Sequence, residues 1–253
     1  ETDPNGTGDY IRDISIVHEQ NLDLHEAGGL FNPDWLELIE NARQVRFMDW
    51  QQTNNATTVS WEERSQPDGL RTTDGIAVED MVHLANLVGS DPWFNMPHLS
   101  DDAYIRAFAT YVRDNLDPAL TVRVEYSNEW WNWSFQQTQW LSVQAQAEWG
   151  SNDWLSYGAK MATNMAVIWR EVFADEPEGR LVTVLGSQAA NPWVSSQIMD
   201  APTWLANEPD TYIQPASVFD ELAITNYFGG SYVSNETNRT ALLAAIDDPE
   251  IDA

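Results

Sequence analysis

The chain has 253 residues, and its 40 acidic side chains face 12 basic ones, for a formal net charge of −28. A surface this acidic repels phosphate backbones and anionic lipids, so we expect neither a nucleic acid nor a membrane as a partner. Disorder is opposed by the 13 tryptophans and by regular periodic segments. The only lysine is Lys160, a composition that resembles proteins of salt-loving organisms. We therefore expect stability to rise with salt.

The predicted elements begin with a strand over Tyr10 to Val17, where apolar residues recur at every second position. A helix should follow, since Asn32 can cap its start and Pro33 occupies its first position. "QVRFMDW" then predicts a second strand that ends near Asp49, before a loop rich in Thr, Asn and Gln.

The middle of the chain predicts a helix with Gly89 at its end and a third strand ending at His98. Ser100 is a candidate cap for the next helix, and Asp101 and Asp102 should lie at its N-terminus rather than bind Ca²⁺. One face of that helix is apolar at helical spacing: Tyr104, Ile105, Phe108, Val112 and Leu116.

A fourth strand is predicted from Leu120 to about Asn128, followed by two helices over roughly 135–149 and 154–173. "RLVTVLGSQ" predicts a fifth strand, "PTWLA" a short helix or loop, and "FDELAITNYFGG" a sixth strand that ends at Tyr227. "TNRTALLAAIDD" predicts a last helix.

This alternation of strands and helices is typical of an α/β fold with parallel strands. A (β/α)8 barrel of the TIM type is a sharper prediction than an open doubly wound sheet. Each strand ends in polar and aromatic residues, where such barrels place their chemistry. About six strands are seen, so the barrel should be incomplete. No repeat or linker divides the chain, so we predict one domain over 1–253.

The candidate site is "VRVEYSNEWWNWSF", which begins as a strand and ends in indoles around one carboxylate. Strand alternation puts Asn128 on one face and Glu125 and Glu129 on the other. At a barrel mouth, burial and aromatic neighbours can raise a carboxyl pKa. Alternatively, Glu125 forms a structural ion pair near Arg123.

The indoles offer flat apolar faces and N–H donors that suit a sugar ring. Trp130, Trp131 and Trp133 cannot all face a ligand, so one or two should pack under the loop.

"EYSNEWWN", with "VRFMDW" and "WFNMPH" upstream, resembles glycoside hydrolase clan A, the retaining glycosidases on (β/α)8 barrels, over roughly residues 31–228. That clan carries its acid/base Glu directly after an Asn at the end of strand four, and the Asn-Glu strand is the fourth here. It stays the fourth if "YIRDISIV" is an inserted element and a first strand lies upstream of Glu1. The resemblance implies that Glu129 protonates the leaving oxygen and then activates water. Asn128 would bind the sugar hydroxyl beside the reacting carbon.

Other strand ends gain roles from the same resemblance. Arg46 would steady the nucleophile, His98 would serve a subsite, and Tyr227 would contact the nucleophile. Asp49 and Trp50 would line the cleft, together with the three indoles. Structural alternatives stay open: a salt bridge inside the barrel for Arg46, a loop position for His98, a loop cap for Asp49 and plain core for Tyr227.

The second carboxylate is the departure from the clan. A retaining mechanism needs it about 5–5.5 Å from the first, and in the clan it ends strand seven. Here the chain stops at "DDPEIDA", where Asp247, Asp248 and Glu250 sit in a tail around Pro249. No nucleophile is assigned, and we expect the chain to be a fragment of a longer enzyme.

The sequence thus favours a glycosidase acting on a polysaccharide or oligosaccharide, outside the cell or at its surface. The four histidines lack metal-ligand spacing, and phosphate loops and nucleophile elbows are missing, so no metal or cofactor is expected. Neither the sugar nor the oligomeric state follows. Two alternatives stand beside it: a non-catalytic carbohydrate-binding barrel, and an acidic cell-surface structural protein whose aromatics are core.

Overall fold

A computed structural model describes residues 6–8, 16–67, 75–225, 230 and 234–246 of the chain. Two compact units are present, Glu1–Ala42 and Arg43–Ala253. The predicted strand over Tyr10 to Val17 lies mostly outside the described residues, and its described end, Ile16 and Val17, is not in a strand. The single domain predicted for 1–253 stays a prediction.

The first unit contains a 3-10 turn at Glu19–Asn21 and two short helices, α1 (Leu22–Glu26) and α2 (Pro33–Ile39). The predicted start of α2 is confirmed. Asn32 Oδ1 accepts a hydrogen bond from the backbone N–H of Asp34 at 2.9 Å, and Pro33 occupies the first position.

The second unit is an α/β structure built on a parallel sheet that curls into a half barrel. Its strands are β1 (Gln44–Arg46), β2 (Asp91–Met96), β3 (Val122–Tyr126), β4 (Leu181–Ser187) and β5 (Glu221–Ile224). They pair in chain order, each parallel to the one before. All five carboxyl ends therefore lie along one edge of the sheet, where barrel folds place their sites.

Helical segments connect these strands. They are α3 (Val78–Val88), α4 (Asp102–Asn115), α5 (Gln136–Trp149), α6 (Trp154–Val172), α7 (Pro192–Asp200) and α8 (Pro202–Asn207), with α9 (Glu236–Ile246) after β5 and 3-10 turns at Trp61–Glu63 and Pro215–Ser217. None of the helices within the described ranges combines the length and apolarity needed to cross a lipid bilayer.

The core lies between one face of the sheet and these helices. Alternate strand residues on that face are buried: Phe94, Met96, Val122, Val124 and Tyr126. The apolar face predicted for α4 is also confirmed, since all five of its residues are buried. Phe108 from α4 meets Phe94 edge-on, with 5.2 Å between ring centroids. The opposite face of the sheet carries polar groups and leads to the site.

Some predicted element ends are confirmed and others are wrong. Gly89 ends α3 with φ at 65°, as predicted. The cap of α4, however, is Asp101, whose carboxylate accepts the N–H of Tyr104 at 2.7 Å. Ser100 instead donates its hydroxyl to the carbonyl of Pro97, which makes its predicted capping role wrong. The strands are also shorter than predicted, and the described residues hold five of them rather than six.

Candidate active site

Two adjoining cavities lie along the carboxyl edge of the sheet. The first, about 330 Å³, is called here the strand cavity; it is lined by Arg46, Trp93, Glu125, Asn128 and Gly186 among others. The second, about 590 Å³, is called the tryptophan cavity and is lined by residues that include Trp133, Trp154 and Trp193. Glu129, Trp131 and Thr225 line both. Glu129 therefore stands where the two cavities meet.

The backbone around Glu129 leaves the strand in an unusual way. Ser127 and Glu129 have φ values of 54° and 41°, in the left-handed region that favours glycine. Such a conformation costs about 1–3 kcal/mol for a residue with a Cβ atom, and strain of this kind concentrates at functional sites. It is held in place by Asn95 Nδ2 and Gln137 Nε2, which donate to the carbonyls of Ser127 and Asn128 at 2.7 and 2.8 Å.

This turn overrides the predicted alternation of side chains beyond Tyr126. Asn128 was expected on the face opposite Glu125. Instead, one nitrogen of Arg46, Nη2, donates to Glu125 Oε2 at 2.7 Å and to Asn128 Oδ1 at 3.2 Å. Asn128 and Glu125 therefore share a partner at the strand cavity.

Arg46 forms the salt bridge that was its structural alternative, and its guanidinium also lies 4.9 Å from the centroid of the Trp93 ring. The ion pair expected for Glu125 is present, but its partner is Arg46 and not Arg123. Arg123 extends instead towards the amino ends of the strands, where it pairs with Glu221 at 2.9 Å.

Glu125 is buried, with 3% of its surface exposed. Burial raises the pKa of the Glu125 carboxyl, while Arg46 and the Nδ2 amide of Asn95, which donates at 2.9 Å, oppose that rise. Its Oε1 atom packs so closely over Gly186 that a Cβ there would lie 2.6 Å away. Asn95 was not predicted, although an amide inside the otherwise apolar strand "PWFNMP" was a usable signal.

Asn128 is fixed from a second side by the loop that follows β1. Its Nδ2 donates to Asn54 Oδ1 at 3.1 Å, and Gln137 Nε2 donates both to that same oxygen and to the Asn128 carbonyl, each at 2.8 Å. A side-chain amide has two N–H donors and two oxygen lone pairs. Asn128 is thus oriented by protein contacts and keeps capacity for a ligand hydroxyl. Asn54 and Gln137 were not predicted; the polar composition of that loop was their only signal.

The Glu129 side chain is oriented by Asn132, whose Nδ2 donates to Glu129 Oε2 at 2.9 Å. The backbone N–H of Asn132 also donates to the Glu129 carbonyl at 2.7 Å. Thr138, from α5, ties this loop down because its hydroxyl bonds the carbonyls of Trp130 and Asn132 at 2.9 and 2.7 Å. Among the described residues, Asn132 is the side-chain donor to this carboxylate, through Oε2, and the Glu129 side chain borders both cavities.

The three neighbouring indoles separate as expected into core and surface. Trp130 is 1% exposed and packs under the loop, against Gly158 of α6. Trp131 lines both cavities, and Trp133 lines the tryptophan cavity. Trp154 and Trp193, from the starts of α6 and α7, also line the tryptophan cavity and were not predicted as site residues.

His98 lies away from the two cavities. It is 2% exposed, and its ring meets Trp140 of α5 with 5.6 Å between centroids. Burial lowers the pKa of the His98 imidazole to about 4. Because β2 ends at Met96 rather than at His98, the chain turns at Pro97 and carries the ring into the helical layer.

Asp49 and Trp50 likewise follow the earlier end of β1 and lie outside the cavity walls. Asp49 is exposed, and its carbonyl accepts the N–H of Gln52 at 3.1 Å. Trp50 packs against Phe47, with 5.6 Å between centroids. Tyr227 lies outside the described residues, as do Asp247, Asp248 and Glu250. The substrate contacts expected of Asp49, Trp50 and Tyr227 stay predictions.

No protein-family model and no solved structure matches this chain. In the described part of the chain, no group of three or more His, Asp or Glu side chains is placed to hold a metal ion.

Proposed function

We propose that this chain belongs to a retaining glycosidase of the clan A type, built on a (β/α)8 barrel and acting on a polysaccharide or oligosaccharide outside the cell or at its surface. The observation that carries the proposal is the position of Glu129. It follows Asn128 at the carboxyl end of a parallel strand, in a strained backbone, where two cavities meet. A carboxylate so placed can reach a bond in a ligand that extends into both cavities.

In this mechanism Glu129 carries the proton. As a general acid it protonates the glycosidic oxygen of the leaving sugar, and as a base it then takes a proton from the attacking water. Asn132 fixes one carboxyl oxygen through its amide, so the other is available to the substrate. Because the loop is tied to α5 through Thr138, little reorganisation accompanies the proton transfers.

Asn128 and Arg46 prepare the strand cavity for the sugar at the reacting carbon. Asn128 is held by Arg46 and Asn54 and forms part of the wall of the strand cavity. It would bond the neighbouring hydroxyl. Arg46 supplies the positive charge that would steady an anionic nucleophile. Its salt bridge to Glu125 fixes the guanidinium, but the Glu125 carboxylate offsets part of the positive charge.

The nucleophile is assigned to no described residue. Glu125 is a second carboxylate on the strand cavity, but one of its oxygens accepts bonds from both Arg46 and Asn95. The group is also buried against Gly186. We assign it the structural role of holding Arg46 and, through it, Asn128.

A carbohydrate-binding barrel without catalysis is the second candidate. It is favoured by the same fact about Glu125: Glu129 is the remaining carboxylate among the described residues that line the cavities. A binding protein needs the aromatic walls but no second acid.

The Glu129→Gln variant tests the assignment in the intact protein. Hydrolysis of glycosides with poor leaving groups should fall by about 10²–10⁴-fold, the usual contribution of general acid–base catalysis. Activated aryl glycosides should lose less of their glycosylation rate, because their leaving groups need little protonation. Azide should accelerate their turnover, since this anion attacks the glycosyl-enzyme without help from a base. Glu178→Gln, at an exposed position, is the control. Unchanged hydrolysis in Glu129→Gln removes Glu129 from the mechanism. Sugar binding without hydrolysis in the wild type favours the second candidate.

A further inference from the structure

Two loops and a helix start build the tryptophan cavity. Trp131 and Trp133 come from the loop after β3, Trp193 comes from the first turn of α7 after β4, and Trp154 begins α6. Trp133 and Trp193 are unusual for their size, being 49% and 58% exposed. Indoles are the largest apolar side chains, and they are normally buried in most of their area. Two of them left open on one cavity indicate a surface that a ligand covers.

The Trp133 indole and the backbone before Trp193 are held by their surroundings. The Trp133 ring meets Trp154 edge-to-face, with 4.9 Å between centroids and 66° between planes. Trp193 follows a tight turn in which Ala190 has a φ of 58°, and Asn191 Nδ2 donates to Gln188 Oε1 at 3.0 Å. A surface ordered before binding loses less entropy when the ligand arrives.

The remaining walls carry amides and almost no charge. Gln188, Asn191 and Asn132 line the cavity, and Glu129 is the one charged side chain among its described lining residues. Flat indole faces suit the C–H faces of a sugar ring, and amides suit its hydroxyl edges. The described walls of this cavity carry no Lys or Arg side chain. An anionic ligand would therefore be repelled by the Glu129 carboxylate and by a protein with a net charge of −28.

We propose that the tryptophan cavity binds a neutral glycan, with sugar rings stacked on Trp133 and Trp193. This inference rests on the proposed function for the class of ligand and adds its charge, its length and the residues that bind it. Because the cavity shares Glu129, Trp131 and Thr225 with the strand cavity, the glycan continues past the Glu129 carboxyl. The substrate is therefore a chain of several neutral sugars, with units on both sides of the acid.

Isothermal titration of the intact protein in molar KCl tests the proposal. The probes are neutral hexasaccharides of β-glucan, mannan and xylan, with oligogalacturonate as the anionic comparison. Trp193→Ala and Trp133→Ala should each weaken the binding of the preferred neutral glycan by about tenfold. All titrations use Glu129→Gln as the reference protein, so that the glycan is not hydrolysed during the measurement. Leu87→Ala is the matched control, since Leu87 is an exposed apolar residue on α3, outside the cavity.

The outcomes distinguish a wrong glycan site from a wrong acid/base assignment. Trp193 is already exposed, so its loss should leave the melting temperature unchanged, and Trp193→Phe should keep part of the affinity. If both alanine variants bind as well as the reference protein, or if no neutral glycan binds at all, the proposed site is wrong. Tighter binding of the galacturonate would also overturn it. If the tryptophan variants lose binding while Glu129→Gln keeps full hydrolysis, the glycan site stands and the acid/base assignment fails.

Discussion

Gly158 of α6 lies directly against the ring of Trp130. A Cβ atom at position 158 would come within 2.4 Å of ring atoms Cε3 and Cζ3. Trp130 follows Glu129 in the chain, so the absence of a side chain at one helix position lets the loop settle at its observed depth. The glycine costs helix stability locally and permits the placement of the acid next to it.

Replacing Gly158 with alanine should therefore destabilise the protein. In an ordinary helix this change gains about 0.5–1 kcal/mol, but here the new methyl overlaps the indole, and overpacking costs about 1–3 kcal/mol. We expect a lower urea midpoint with an unchanged slope. Asn164→Ala, at an exposed position on the same helix, should be neutral or slightly stabilising. A Gly158→Ala variant more stable than the wild type would contradict the contact.

Removing Arg46 should expose the cost of burying Glu125. In Arg46→Met the carboxyl loses its cation, and the free energy of unfolding should fall by about 2 kcal/mol, less than for a fully buried pair because Arg46 is partly exposed. The pKa of Glu125 is already raised by burial. A raised carboxyl pKa favours the protonated form in the folded state, so the loss should shrink as pH falls and Glu125 becomes neutral.

Urea unfolding at pH 8 and pH 5 measures this effect. Adding Glu125→Gln to Arg46→Met should recover much of the stability at pH 8, since no charge is then buried. An equal loss for Arg46→Met at both pH values would show that the ion pair is not its source.

His98 should make the fold sensitive to acid. Burial lowers its pKa to about 4, whereas an unfolded chain keeps a value near 6.5. Between these values the unfolded state binds more protons, so stability falls as pH drops through this window, by at most about 3 kcal/mol from this group. In His98→Gln the fall between pH 6.5 and 4 should be smaller, while His25→Gln, at an exposed position, should keep the wild-type slope. Parallel pH profiles for His98→Gln and the wild type would exclude His98 as the cause.

Salt should stabilise the protein strongly. With a net charge of −28, self-repulsion acts over about 30 Å at 0.01 M salt and only about 3 Å at 1 M. The melting temperature should rise from dilute buffer to molar KCl, with sorbitol at equal osmolality as the control for excluded volume. A flat or falling melting temperature in KCl would remove the argument from charge.

Local signals predicted much of the fold. Asn32 with Pro33 marks the start of α2, and Gly89 marks the end of α3, because caps depend on a few neighbouring residues. The sequence also placed Glu129 after a strand. The predicted strand was wrong from Ser127 onwards, because the alternating sequence pattern continues there while the backbone becomes left-handed. That turn is held by the side chain of Asn95, which is distant in sequence.

The partners of the site residues were beyond sequence analysis for the same reason. Arg46 and Glu125 are 79 positions apart, and Gln137 meets Asn54 across 83. Single-sequence patterns report periodicity within one element, whereas these contacts depend on how neighbouring strands and loops align. The tryptophan cavity was missed because Trp154 and Trp193 look like ordinary helix residues until α6 and α7 are in place.

The separation between strand residues and loop residues at this site has an evolutionary consequence. Arg46 and Glu125 lie within paired strands, while Gln188 and Asn191 lie in a loop and Trp193 lies just after it. Changes in loops are tolerated far better than changes in a packed sheet. Descendants of this protein can therefore vary the wall of the tryptophan cavity through residues 188–193 while inheriting Arg46 and Glu125 unchanged.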